Sequence, residues 1–69
     1  MNIGDEMDKL EENILVILRK ADAGLTIEEV SERLSIHRIT ASKYLAVLEA
    51  RNLINHRPIG KAKLFWVKK

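Results

Sequence analysis

Between His37 and Lys43 the chain reads His-Arg-Ile-Thr-Ala-Ser-Lys, and no acid occurs from Ser35 until Glu49. Arg38 and Lys43 can donate to phosphate oxygens or guanine edges. Thr40 and Ser42 can donate or accept, and Ile39 can touch a thymine methyl. His37 opens this set. Further on, His56, Arg57, Lys61 and Lys63 surround a segment containing Pro58 and Gly60. A cationic loop of that kind suits phosphate or minor-groove contact. The chemistry on offer is recognition of a polyanion. The plainer alternatives are a solvated polar helix face and a loop kept soluble by lysines.

Catalytic and metal chemistry find little support. His37 and His56 are the two histidines and there is no Cys, so a metal site has to draw on carboxylates. The basic half of the chain offers only Glu49. No nucleophile–base pair with an orienting acid is visible, nor a phosphate-cradling Gly loop. No enzymatic activity, cofactor or small-molecule substrate is expected. The length, 69 residues, leaves no room for a second core or a large enclosed pocket. A composition 46% apolar and 32% charged is that of a globular domain rather than a disordered segment.

The net charge of +2 conceals an asymmetry. Residues 1–34 carry nine acids against four bases, a balance of −5; residues 35–69 carry eight bases against one acid, a balance of +7. Such a polarised object attracts a polyanion with one half while the other stays in solvent.

Three helices and a hairpin position these residues. The first helix is expected over residues 5–21, with Asp5 as its cap and residues 1–4 as a tail. Its stripe is Met7, Leu10, Ile14, Ile17, Leu18 and Ala21. The second starts at Thr26, where Thr-Ile-Glu-Glu forms a capping box with Glu29 reaching back; Ile27, Val30 and Leu34 are its buried stripe. The tight connection Ser35-Ile36-His37 leads into a third helix over residues 38–50, with Ala41, Leu45, Leu48 and Tyr44 inward. Either Ser35 or His37 caps it. Residues 53–57 and 64–67 then read as strands joined by a turn segment, 58–63. Phe65 and Val67 face the core, and Trp66 and Leu64 face away from it.

Two short helices joined by such a turn form a helix-turn-helix, whose second helix presents its outer face to a DNA groove. The segment from Leu25 to Ile54 resembles the core of winged helix-turn-helix transcription regulators of the ArsR-like and MarR-like kind, small archaeal ones especially. The likeness runs over most of the span 5–69, which is read as one domain. It implies a mainly α fold with a small β-hairpin, three helices plus a wing. It also puts His37, Arg38, Thr40, Ser42 and Lys43 on the recognition helix, and Arg57, Lys61 and Lys63 on the wing. His37 replaces the usual Ser cap, and Asn52 a frequent Gly. No cysteine motif for metal sensing is present. Trp66 invites comparison with the Z-DNA-binding branch, but Ser42 and Ala46 stand where that branch carries Asn and Tyr.

Ile3, Leu15, Val16 and Trp66 suggest further buried surface and a homodimer contact, which would present two recognition helices to a two-fold-related site. The expected function is sequence-specific binding of double-stranded DNA by a transcription regulator. The rival is a protein-interaction winged helix of an assembly or polymerase module; a third reading is a module of a longer regulator. The longest apolar run, Ile14 to Leu18, is five residues, against about 20 for a membrane span. With an acidic start and no targeting segment, the chain reads as cytoplasmic.

Overall fold

Asp8 starts the first helix. The computed structural model describes residues 8–68, and within them α1 spans Lys9–Lys20. The Asp8 side chain accepts from the Glu11 amide at 3.0 Å, and the Asp8 amide donates to the Glu11 carboxylate at 3.1 Å. A capping box needs a second acceptor three residues past the cap, and the pair Asp8 and Glu11 supplies it. The helix therefore begins later than its expected start at Asp5. Asp5, Met7, Ile3 and the expected 1–4 tail lie outside the described residues.

The elements that follow are β1 (Leu25–Thr26), α2 (Ile27–Leu34), α3 (Arg38–Ala50), β2 (Ile54–Ile59) and β3 (Ala62–Val67). Thr26 ends β1 and caps α2 at once: its Oγ1 accepts from the Glu29 amide at 3.2 Å, and its own amide donates to Glu29 at 2.9 Å. Ser35 ends α2 in the left-handed region at φ +55, and the Ile36 amide donates back to the Ser31 carbonyl at 3.0 Å. That reversal leaves His37 extended and ready to cap α3.

The sheet has one strand more than the sequence suggests. Its order is β1-β3-β2, all antiparallel, with Leu25 opposite Phe65 and Thr26 opposite Leu64. The chain enters β1 through Gly24 at φ +88, where an added Cβ would meet the Phe65 carbonyl oxygen at 2.6 Å. Only glycine permits both that dihedral and that approach. The hairpin is also tighter than expected. Pairing continues to Pro58 opposite Lys63 and Ile59 opposite Ala62. The expected turn 58–63 thus shrinks to Gly60 and Lys61, with Gly60 at φ +58. Pro58 is tolerated because β2 is an edge strand.

Ile14, Leu18, Val30, Ala41, Leu45, Leu48, Ile54 and Phe65 form the core, with Leu10, Ile27, Leu34, Ile36 and Val67 packed against it. Each fully buried Leu or Ile contributes about 1.5–3 kcal/mol. Leu15 belongs to this core as well, with 6% of its surface exposed. The expected outer face of α1 therefore loses Leu15 and keeps Val16.

α1 is also fastened to α3 by polar contacts. The Tyr44 hydroxyl donates to Asp8 at 2.9 Å, and Arg51 lies 3.6 Å from the buried Glu11 carboxylate. The Glu11 amide, with the Tyr44 hydroxyl adding to it, holds the Asp8 carboxyl below its ordinary value near 3.8. The same contact pushes the Tyr44 hydroxyl above its ordinary value near 10.0. A carboxyl depressed on folding stabilises the fold above its unfolded pKa, and that contribution fades as pH falls through the folded value. Asp8→Asn keeps an acceptor for the cap but cannot ionise. Chemical denaturation should show wild type more stable than this variant at neutral pH, with the gap narrowing as pH falls below the ordinary carboxyl value of 3.8. An undiminished gap there excludes the ionised carboxylate as its source.

Candidate nucleic-acid interface

The exposed start of α3 is built around its cap. His37 Nδ1 accepts from the Ile39 amide at 3.1 Å. A ring nitrogen that accepts carries no proton, so this cap requires Nδ1 to be bare. His37, Arg38, Ile39, Ser42 and Lys43 are all exposed, Ile39 with 73% of its surface, and Thr40 is half-buried at the edge of this face. The first turn of α3 contains no acid. Its free amides and helix dipole favour an anion at that end.

The wing reaches the same end of the molecule because of the β1–β3 register. Thr26 pairs with Leu64. Ala62 and Lys63 precede Leu64, so β3 comes in past the strand end where α2 begins. The result is a groove of about 440 Å³ lined by Thr26, Ile27, Glu28 and Arg38 on one side and by Ile59, Lys61, Ala62 and Lys63 on the other. A second hollow, lined by Ile27, His37, Arg38, Ile39 and Ser42, shares Ile27 and Arg38 with it. Lys61 and Lys63 thus border the groove and His37, Ile39 and Ser42 the adjoining hollow, with Arg38 lining both.

Three expected residues stand apart. The exposed Lys43 and the half-buried Thr40 are on α3 but line neither hollow. Arg57 lies opposite Leu64 and borders a separate hollow with Asp22, Ala23 and Trp66. Trp66 is half-buried and also lines a hollow with Leu18, Arg19 and Asp22 at the end of α1. Val16 is 43% exposed.

Carboxylates temper the cationic surface at two points. Glu49 contacts His56 Nδ1 at 2.6 Å, with both side chains about one-third exposed. The His56 ring packs on Phe65 with centroids 5.3 Å apart. The one acid of the basic half is therefore engaged, and it ties α3 to β2. Glu28 lies 3.8 Å from Arg38, each side chain about two-thirds exposed. Sequence reasoning missed Glu28, because it counted acids along α3 and not across the turn. The available signal was the capping box. With Glu29 folded back onto Thr26, the neighbouring Glu28 is left free at the helix start. Among the described residues no three His, Asp or Glu side chains come together as a metal site, and no helix is long and apolar enough to cross a membrane.

A family model described as winged helix-turn-helix DNA-binding matches residues 7–55. Comparison with curated proteins gives no match. Among solved structures, reduced HlyU from Vibrio cholerae superposes with a TM-score of 0.81 at 26% identity, over 90% of this chain and 63% of that one. The PcaV transcriptional regulator from Streptomyces coelicolor, in complex with its natural ligand, gives 0.85 at 23% identity, over 97% and 49%. ZitR from Lactococcus lactis, a zinc-responsive MarR family member, gives 0.81 at 22% identity, over 99% and 48%. The chain spans between about half and just under two thirds of these proteins.

The cap makes His37 a structural as well as a surface residue. His37→Ala should lower the thermal midpoint by removing one acceptor, at a cost of about 0.5–2 kcal/mol. His37→Ser should recover it, since a hydroxyl is a strong cap. Equal loss in both variants contradicts the capping role.

Proposed function

The chain belongs to the winged helix-turn-helix DNA-binding family, and we propose that it binds double-stranded DNA sequence-specifically as a transcription regulator. The observation that carries this reading is the pair of adjoining hollows, joined at Arg38, that bring the wing cations beside the start of α3. α3 enters the major groove. Arg38, Ser42 and Lys43 then face base edges or flanking phosphates, and Ile39 meets a thymine methyl. Lys61 and Lys63 at the hairpin tip take the backbone or the minor groove. Arg57, on the other side of the hairpin, serves the outer phosphates of the site.

A second copy completes the arrangement. Among the described residues, the exposed Val16 and the half-buried Trp66 are left of the expected two-fold contact once Leu15 is assigned to the core. Dimerisation sets the distance between two half-sites. The protein acts by binding rather than by catalysis, and its place is with DNA in the cytoplasm.

One observation favours a different partner: Ile39, Val47 and Ile59 are large apolar residues with 73%, 37% and 45% of their surfaces exposed. These would anchor a protein rather than a duplex. The two readings separate on salt. Phosphate contacts release counterions, so affinity for a duplex falls steeply with added salt. Arg38→Ala and Lys43→Ala should each cost about 1–3 kcal/mol where a base contact is lost. Lys61→Ala and Lys63→Ala should weaken all sequences alike and flatten the salt slope by about 1 each. Fluorescence anisotropy with cognate and random duplexes measures both. Affinity insensitive to all four substitutions removes this surface from DNA binding.

A further inference from the structure

Glu28 is a carboxylate set in the groove that the proposed function assigns to DNA. It lines that groove beside Arg38, Lys61 and Lys63, and it is the one acid among the lining residues. Its Oε2 lies 3.8 Å from the Arg38 guanidinium. We propose that Glu28 is an internal competitor for duplex phosphate, holding Arg38 in the free protein and yielding it when DNA enters. The inference rests on the DNA-binding reading and adds to it a residue that sets the affinity for any duplex.

Three observations point to this role. First, Glu28 has little structural duty. The capping box of α2 is already complete with Thr26 and Glu29. The Glu28 backbone carbonyl takes the Ser31 hydroxyl, while its side chain has Arg38 as its one polar partner among the described residues. Second, the pair is built to exchange. A single contact at 3.8 Å between side chains two-thirds exposed is weak and strongly screened. A phosphodiester offers the same guanidinium a closer, charge-assisted bond. Third, the groups around the pair are the cations a phosphate would meet next, Lys61 and Lys63. A phosphate entering there meets one like charge, and that charge is the one Arg38 must leave.

The cost of parting Arg38 from Glu28 is the same for every base sequence. Glu28 therefore lowers affinity uniformly and leaves discrimination to the base-facing side chains of α3. It also reduces the charge that Arg38 presents from a distance, so approach to random DNA is restrained as well.

The test is a double-mutant cycle read by anisotropy on a random duplex at two salt concentrations. The proteins are wild type, Glu28→Gln, Arg38→Ala and the double variant, with Glu28→Ala as a second removal of the charge. Loss of the carboxylate should tighten binding by about two- to fivefold at low salt. The gain should shrink at high salt, and the salt slope should steepen by up to about 0.9. In the Arg38→Ala background the gain should be clearly smaller. Unchanged or weaker binding by Glu28→Gln and Glu28→Ala, with wild type still binding in a salt-dependent way, overturns the inference and leaves the DNA-binding reading standing. An equal gain in both backgrounds also overturns it, since Glu28 then acts on the duplex without Arg38. A wild type with no salt-dependent affinity removes the proposed function and this inference together.

Discussion

Two residues of strand hold the recognition surface together. Leu25 and Thr26 pair with Phe65 and Leu64, and this short ladder decides where the hairpin lies relative to the helices. Gly24 is what permits the chain to come so close to the Phe65 carbonyl. Thr26 then passes directly from sheet to helix, capping α2 with its side chain. Fixing β3 to the residue that begins α2 also fixes Lys61 and Lys63 beside Arg38. A slip of one residue in this register turns every β3 side chain to the opposite face. Phe65 would leave the core and Trp66 would enter it.

Local signals are legible in the sequence, and signals that need a distant partner are not. The Thr26–Glu29 box and the start of α3 depend on groups two or three residues apart, and α3 runs over 38–50 as the spacing implies. β1 is two residues long and sits directly before a capping box, so nothing local marks it as a strand. Its partner lies near the other end of the chain. The same limit explains Arg57, whose position on the far side of the hairpin follows from its pairing with Leu64. It explains Glu28 as well, which meets Arg38 only because the turn at Ser35 folds α3 back beside α2. Asp8 is a different case. The box it forms with Glu11 is local and legible, but Asp5 offered a competing cap. Leu15 shows that a helix in a small domain buries a broader face than a strict stripe suggests.

Charge and shape divide the labour across the molecule. The basic half is not uniformly cationic at its surface. Glu49 is absorbed by His56 against Phe65, which keeps a carboxylate off the outer face of α3 and braces the helix against the sheet. On the far side of α3, Tyr44 and Arg51 reach the cap and first turn of α1. The helix is thus held along its inner face by the apolar core and at its flanks by polar contacts to α1 and β2. Its outer face carries none of this load, and its residue types are free to be chosen for a partner.

The hairpin closes on two residues, with paired strands up to Ile59 and Ala62. Its tip is therefore a stiff prong rather than a tether. A partner that meets it finds its lysines already at a set height above the helix ends, and little backbone freedom is surrendered on contact. Such a prong gauges the width of whatever it straddles, accepting surfaces that fit its span and turning away those too broad or too narrow.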